Sequence, residues 1–211
     1  LFLAHGVSGV AQGISMLAIP WYFSRQGEMS TFSWIYFLTN IIALLWVPFS
    51  GTLVDKYSRK RIFLVLDVTL GIILCGVAGL GFSAGELPWW WVGVVFMITF
   101  FNYNLYYPNL YALLQEITEE KYYARITSLL EVLGQTTNVI AGAAAALLLE
   151  GTTGGSWVIF GFEVPIGREV AAWSIHWIIL LDGFTYCLAA GLLALMPYTS
   201  LKHRKAEKAP V

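Results

Sequence analysis

Six apolar stretches divide this chain, each about as long as a membrane-crossing helix, and no Lys or Arg falls inside any of them. They cover residues 1–23, 31–54, 62–82, 90–113, 126–149 and 172–196. A helix needs about 20 apolar residues to cross a hydrocarbon core roughly 30 Å thick, and each stretch meets that length. Backbone polar groups find no water inside lipid, so runs of this kind must satisfy themselves as helices. At 58% hydrophobic and 12% charged, with a mean hydropathy of +0.69, the 211 residues are too apolar for an ordinary soluble domain. The expected fold class is an all-α integral membrane protein of six transmembrane helices, with residues 1–200 as one domain and 201–211 as a basic tail or the start of a linker.

The net charge of −1 hides a strong sorting. Lys56, Arg59, Lys60, Arg61, Lys121, Arg125, Lys202, Arg204, Lys205 and Lys208 fall on one side of the six spans, and only Arg25 and Arg168 on the other. By the positive-inside tendency the first side is cytoplasmic, which places both ends of the chain there, in a cell or inner membrane. Tryptophan agrees, because Trp21, Trp34, Trp89, Trp90, Trp91, Trp157, Trp173 and Trp177 gather at the opposite ends, at headgroup level. The start inside an apolar run and the stop in a basic tail read as a fragment of a longer chain. Between the fifth and sixth spans, the loop 151–170 carries Trp157-Val158-Ile159-Phe160-Gly161-Phe162-Glu163-Val164, apolar, β-branched and aromatic around a central glycine, a pattern open to a small outer hairpin, an ordered cover over the helix ends or a partner-docking flap.

The basic segment Gly51-Thr52-Leu53-Val54-Asp55-Lys56-Tyr57-Ser58-Arg59-Lys60-Arg61 reads as a tight charged turn between spans two and three. Its glycine, acid and bases at fixed offsets resemble the loop between helices 2 and 3 of the major facilitator superfamily of secondary transporters, matching at Gly51, Leu53, Asp55, Lys56, Arg59 and Lys60. It departs at Ser58, where that family usually has glycine. The resemblance implies the amino-terminal six-helix half of a transporter that works by alternating access and pairs with a carboxyl-terminal half or a second subunit. It also implies that Gly51, Asp55, Lys56, Arg59 and Lys60 form a conformational latch, with Asp55 accepting hydrogen bonds from the other half and pairing with Arg59. The segments Leu17-Ala18-Ile19-Pro20-Trp21-Tyr22 and Leu181-Asp182-Gly183-Phe184-Thr185-Tyr186 resemble the macrolide-efflux branch, whose members export drugs and siderophores. The G-P-x-x-G pattern of drug antiporters is absent from the fifth span, where Gly142 is followed by alanines.

Polar residues within hydrocarbon are costly and face a bundle interior or a wet cavity. On the fifth span Glu131, Gln135, Asn138 and Gly142 recur at helical spacing and share one stripe. Two readings stay open: a cavity wall with Glu131 as an ion or proton site, or interhelical hydrogen bonding with Glu131 neutralised by Arg59 or Arg61. Gln12 and Ser15 lie on one face of the first span. Asn102, Tyr103 and Tyr106 on the fourth offer apolar area together with hydrogen bonds, which suits an amphipathic organic solute, though tyrosines also plug cores. Asp67 lies close enough to the basic turn to pair with it. Asp182 sits near the middle of the sixth span, where a carboxyl can bind and release a proton or remain a silent donor.

Other chemistries lack their residues. His5, His176 and His203 have no Cys, Asp or Glu at metal-ligand spacing, and Cys75 and Cys187 fall in spans, where small apolar packing is expected. No phosphate loop or nucleophile motif is present. The expectation is a non-enzymatic, cofactor-free efflux protein whose partners are membrane lipid, a small amphipathic solute and a second half, without nucleic acid. The alternative is a transport-inactive scaffold or accessory subunit that docks partners through its outer loop.

Overall fold

The computed structural model describes residues 2–152, 156–159, 162–165, 167 and 169–196; the basic tail 201–211 and Arg168 lie outside them. Six helices carry the chain: α1 (Phe2–Arg25), α2 (Met29–Lys56), α3 (Arg59–Ala84), α4 (Trp89–Ile117), α5 (Tyr123–Glu150) and α6 (Ile175–Leu195). A single 3-10 turn, Glu120–Tyr122, leads into α5. A two-stranded antiparallel hairpin, β1 (Ser156–Ile159) and β2 (Phe162–Pro165), lies between α5 and α6, with Ser156 opposite Pro165 and Ile159 opposite Phe162. The fold is an all-α membrane bundle with this one small hairpin attached. By length and composition, α2, α3, α5 and α6 are apolar enough to cross a membrane. The other two, α1 and α4, carry much of the polar content of the site described below.

The basic segment is more helical than a tight turn. Helix α2 runs on through Lys56 and α3 begins at Arg59, leaving only Tyr57 and Ser58 between them. Ser58 has φ −63° and ψ 125°, an extended conformation open to any L-residue, so the turn does not require glycine there. Lys56 in the last turn of α2 suits the negative end of that helix dipole, whereas Arg59, Lys60 and Arg61 sit at the positive end of α3. Contacts offset that mismatch. Lys60 Nζ donates to Ala194 O at 3.1 Å and Met196 O at 2.7 Å, satisfying carbonyls at the C-terminus of α6.

Helix approach in lipid depends on small residues, because burial against a neighbour gains little over burial in acyl chains. The closest pair is α3 with α6. A Cβ on Gly71 would lie 2.6 Å from Cys187 Sγ, and one on Gly183 would lie 2.9 Å from Cys75 N. Both cysteines are therefore packing residues at this crossing, with free thiols. Gly13 does the same between α1 and α5, where a Cβ would meet that of Ala141 at 2.6 Å.

Three apolar clusters fill the bundle. At the tryptophan end Ile14, Ala18, Phe23, Phe32, Leu74, Phe96 and Tyr186 belong to the largest, at the basic end Phe63, Tyr106, Leu110, Leu113, Leu130 and Leu193 belong to the second, and Val54, Ile62 and Leu105 form a small third. The main helix pairs are α3–α6, α1–α5, α2–α4, α1–α6 and α3–α4, with lighter contact in α1–α2, α4–α5 and α1–α4. Exchanging α1, α2, α3 for α4, α5, α6 turns this set into itself. Since α1 and α4 run in opposite directions, the pattern is that of two inverted three-helix repeats.

Candidate functional site

Polar groups of the spans fall into three places. At the basic end, α2 and α3 divide the five latch residues into two sets. Gly51, Asp55 and Lys56 are exposed, a Cβ on Gly51 would meet nothing within 4 Å, and Asp55 makes no hydrogen bond or ion pair among the described residues. Arg59 and Lys60 turn inward instead. Arg59 faces Glu116 at 3.7 Å, and its carbonyl accepts from Asn109 Nδ2 at 2.9 Å. The expected Asp55–Arg59 pair is thus replaced by Arg59–Glu116, because the helical geometry of Arg59 points it at α4. Glu116 and Asn109 were missed from the sequence. An acid in the last turn of an apolar helix, level with a basic segment, was the available signal.

The second place is a cavity of about 340 Å³ between α1, α4 and α5. Gln12, Tyr103 and Asn138 converge on it with Tyr107, Thr137 and the backbone approach of Gly9 and Gly13. Its aromatic wall is pre-ordered, with the Tyr103 and Tyr107 rings 4.4 Å apart. Beyond it the exposed stripe continues along α5 through Gln135 to Glu131, which accepts a hydrogen bond from the Tyr111 hydroxyl. Glu131 therefore pairs with a tyrosine of α4, and neither Arg59 nor Arg61 reaches it among the described residues. Tyr111 was missed, although Tyr103, Tyr107 and Tyr111 recur at i, i+4 and i+8, a spacing that places them on one face.

The third place is the bundle interior. Ser15, Asn102 and Tyr106, expected beside Gln12 and Tyr103, turn away from the cavity and are buried here. Asn102 Nδ2 donates to Tyr186 Oη at 3.4 Å, and Tyr106 Oη meets His5 Nδ1 at 3.3 Å with the two rings stacked. Asp67 and Asp182, each only 1% exposed, lie within electrostatic reach of Tyr186, and Ser15 sits beside Asp182 without closing a hydrogen bond to it. All four carboxylate oxygens lack a hydrogen-bond partner in the structure. Asp67 accordingly does not pair with the basic turn, since its side chain is buried in the interior, within electrostatic reach of Tyr106 on α4 and Tyr186 on α6. A buried carboxylate without donors is costly as a bare anion. No group of three or more His, Cys, Asp or Glu capable of holding a metal occurs among the described residues.

The sequence model of one family, described as the Major Facilitator Superfamily, matches residues 1–210 of the chain. No curated protein and no solved structure gives a significant match.

Proposed function

The chain belongs to the Major Facilitator Superfamily and is a secondary transporter in kind, and from that premise we propose that it forms one half of an ion-driven exporter of amphipathic organic solutes. One observation carries the reading. In a bundle whose α2, α3 and α6 surfaces show Leu44, Leu45, Ile72 and Phe184 to the outside, α4 and α5 add a polar stripe of Tyr103, Glu131, Gln135 and Asn138, which on α5 runs beside exposed Val132, Val139 and Ile140. Facing lipid, polar and charged groups within a span are costly. Facing a wet pathway between two halves, the same groups stay hydrated and meet the solute.

In this reading Gln12, Tyr103 and Asn138 contact the solute within the α1–α4–α5 cavity, with Gln135 on its approach. Ser15, Asn102 and Tyr106 act from behind it, as the buried frame. Asp67 and Asp182 hold the coupling ion away from the solute, and Glu131 lies on the wet face where it can be reached from the basic end. Exposed Gly51, Asp55 and Lys56 meet the second half and hold the outward-facing state, while Arg59 and Lys60 fix the elbow to α4 and α6. Breaking that contact requires the ion or solute to bind the two states with different affinity. The resemblance of Leu181 to Tyr186 to macrolide exporters favours outward movement, with the basic end in the cytoplasm of a cell membrane.

Reconstituting the full-length protein and following a panel of cationic and neutral amphipathic dyes under an imposed pH gradient tests the proposal. Gradient-dependent flux of at least one dye class supports it. Flux unchanged when the gradient is collapsed would remove the coupling, and absence of flux from a folded protein would favour the scaffold alternative.

A further inference from the structure

At the tryptophan end, away from the cavity between α1, α4 and α5, lies a second cavity of about 390 Å³ bounded by the end of α1, the α3–α4 connection and the entry to α6. Its size falls in the range of small-ligand sites, about 300 to 1,000 Å³. Two opposite charges line it and do not neutralise each other. The Arg25 guanidinium lies 4.3 Å over the ring of Trp21, and it forms no ion pair among the described residues. Glu86 lines the same cavity, again with no hydrogen bond or ion pair among them. Between the charges the walls are flat and aromatic, from Trp21, Trp173 and Tyr22.

The walls are tied down from three sides. The Tyr22 hydroxyl donates to Leu87 O at 2.9 Å, holding the α3–α4 connection to α1. Trp173 N donates to Leu148 O at 2.7 Å, and Ser174 Oγ bonds His176 Nε2 at 2.8 Å. Stacking on Trp21 holds the exposed Arg25 guanidinium over the ring, with its N–H groups available to a carboxylate or phosphate. An ammonium at the exposed Glu86 would gain both the carboxylate and the faces of nearby rings. A cavity with one stacked cation, one carboxylate and aromatic walls fits a molecule that carries both charges.

From this juxtaposition we infer that the tryptophan-end cavity is a binding site for a zwitterion, its anionic group on Arg25 and its ammonium on Glu86. The site is independent of the translocation reading, since it needs neither a second half nor flux. Two sources share this chemistry at headgroup level: an ethanolamine phospholipid and a free amino acid with a flat apolar side chain.

Calorimetric titration of purified full-length protein separates them. The probes are glycerophosphoethanolamine and phenylalanine, with ethanolamine and glycerol phosphate as single-charge controls. At least one zwitterion should bind tenfold or more tightly than either control. Arg25→Gln and Glu86→Gln should each weaken it tenfold or more, and Arg25→Lys, which keeps the charge but not the planar fork, should fall between. Binding of the first probe assigns the headgroup and binding of the second the free solute, and either sustains the inference. Thermal melting identifies any variant that fails to fold, and the single-charge comparison on the unmodified protein stands without them. Equal binding of zwitterions and single-charge probes, no zwitterion binding, or binding untouched in folded variants overturns it.

Discussion

Asp182 and Glu131 show how differently one side-chain type is used within a single bundle. Asp182 is enclosed with its oxygens unpartnered, while Glu131 is exposed and bonded to Tyr111. Substituting Asp182→Asn keeps shape and volume but removes the titratable group. We expect gradient-driven flux to fall at least tenfold with dye binding retained, measured as flux and equilibrium binding on the same reconstituted sample. Tyr111→Phe removes the partner of Glu131 on a wet face, where water replaces it, so melting should shift by only about 1 kcal/mol or less. Which span positions are polar was legible from the sequence, and Gln12, Tyr103 and Asn138 line one cavity. Which way each polar side chain turns was not. Ser15 is three residues from Gln12, and Asn102 is next to Tyr103, yet both rotate into the interior, because rotation about a helix axis is set by neighbours that spacing does not reveal. Asp67 is the same case, since its distance along the chain from the basic residues says nothing of the angle at which α3 meets α6.

At the scale of elements, α3 and α6 form the contact on which the interior depends. Gly71→Val places a branched side chain where even a Cβ lies 2.6 Å from Cys187 Sγ. Overpacking of this kind costs about 1 to 3 kcal/mol, and thermal melting in detergent should show it, while Gly76→Ala on the same helix, with open space around it, should leave melting unchanged. Lys60→Met removes two hydrogen bonds to the end of α6, one exposed and one part-buried, together worth about 1 kcal/mol after solvent screening. Earlier melting is expected, read by the same assay. Asp55→Asn acts on neither contact: insertion and melting should be preserved while transport falls, and unchanged transport rates in vesicles would remove the latch. Existence and order of the helices were legible because runs of apolar residues at bilayer length admit little else. The elbow was not, since a helix carries charged side chains at its ends without cost to its backbone, so charge marks where lipid stops and not where a helix stops.

Across the whole molecule, the neighbour pattern of α1–α3 repeats in α4–α6, though the sequence shows no such repeat. Packing symmetry survives in which helices touch, while the side chains of the two repeats have separated. The repeat leaves two kinds of surface. Leu44, Leu45 and Phe49 on α2 suit acyl chains, and the stripe of Tyr103, Gln135 and Asn138 on α4 and α5 suits water, with apolar Val139 and Ile140 to one side of it. That division is the central claim, and cysteine accessibility in intact membranes tests it most directly. In a Cys75→Ala, Cys187→Ala background of the full-length protein, Asn138→Cys and Leu45→Cys are each exposed to a charged, water-soluble maleimide. Rapid labelling at 138 with little at 45 is the predicted result; labelling at 45 with protection at 138 would contradict the account.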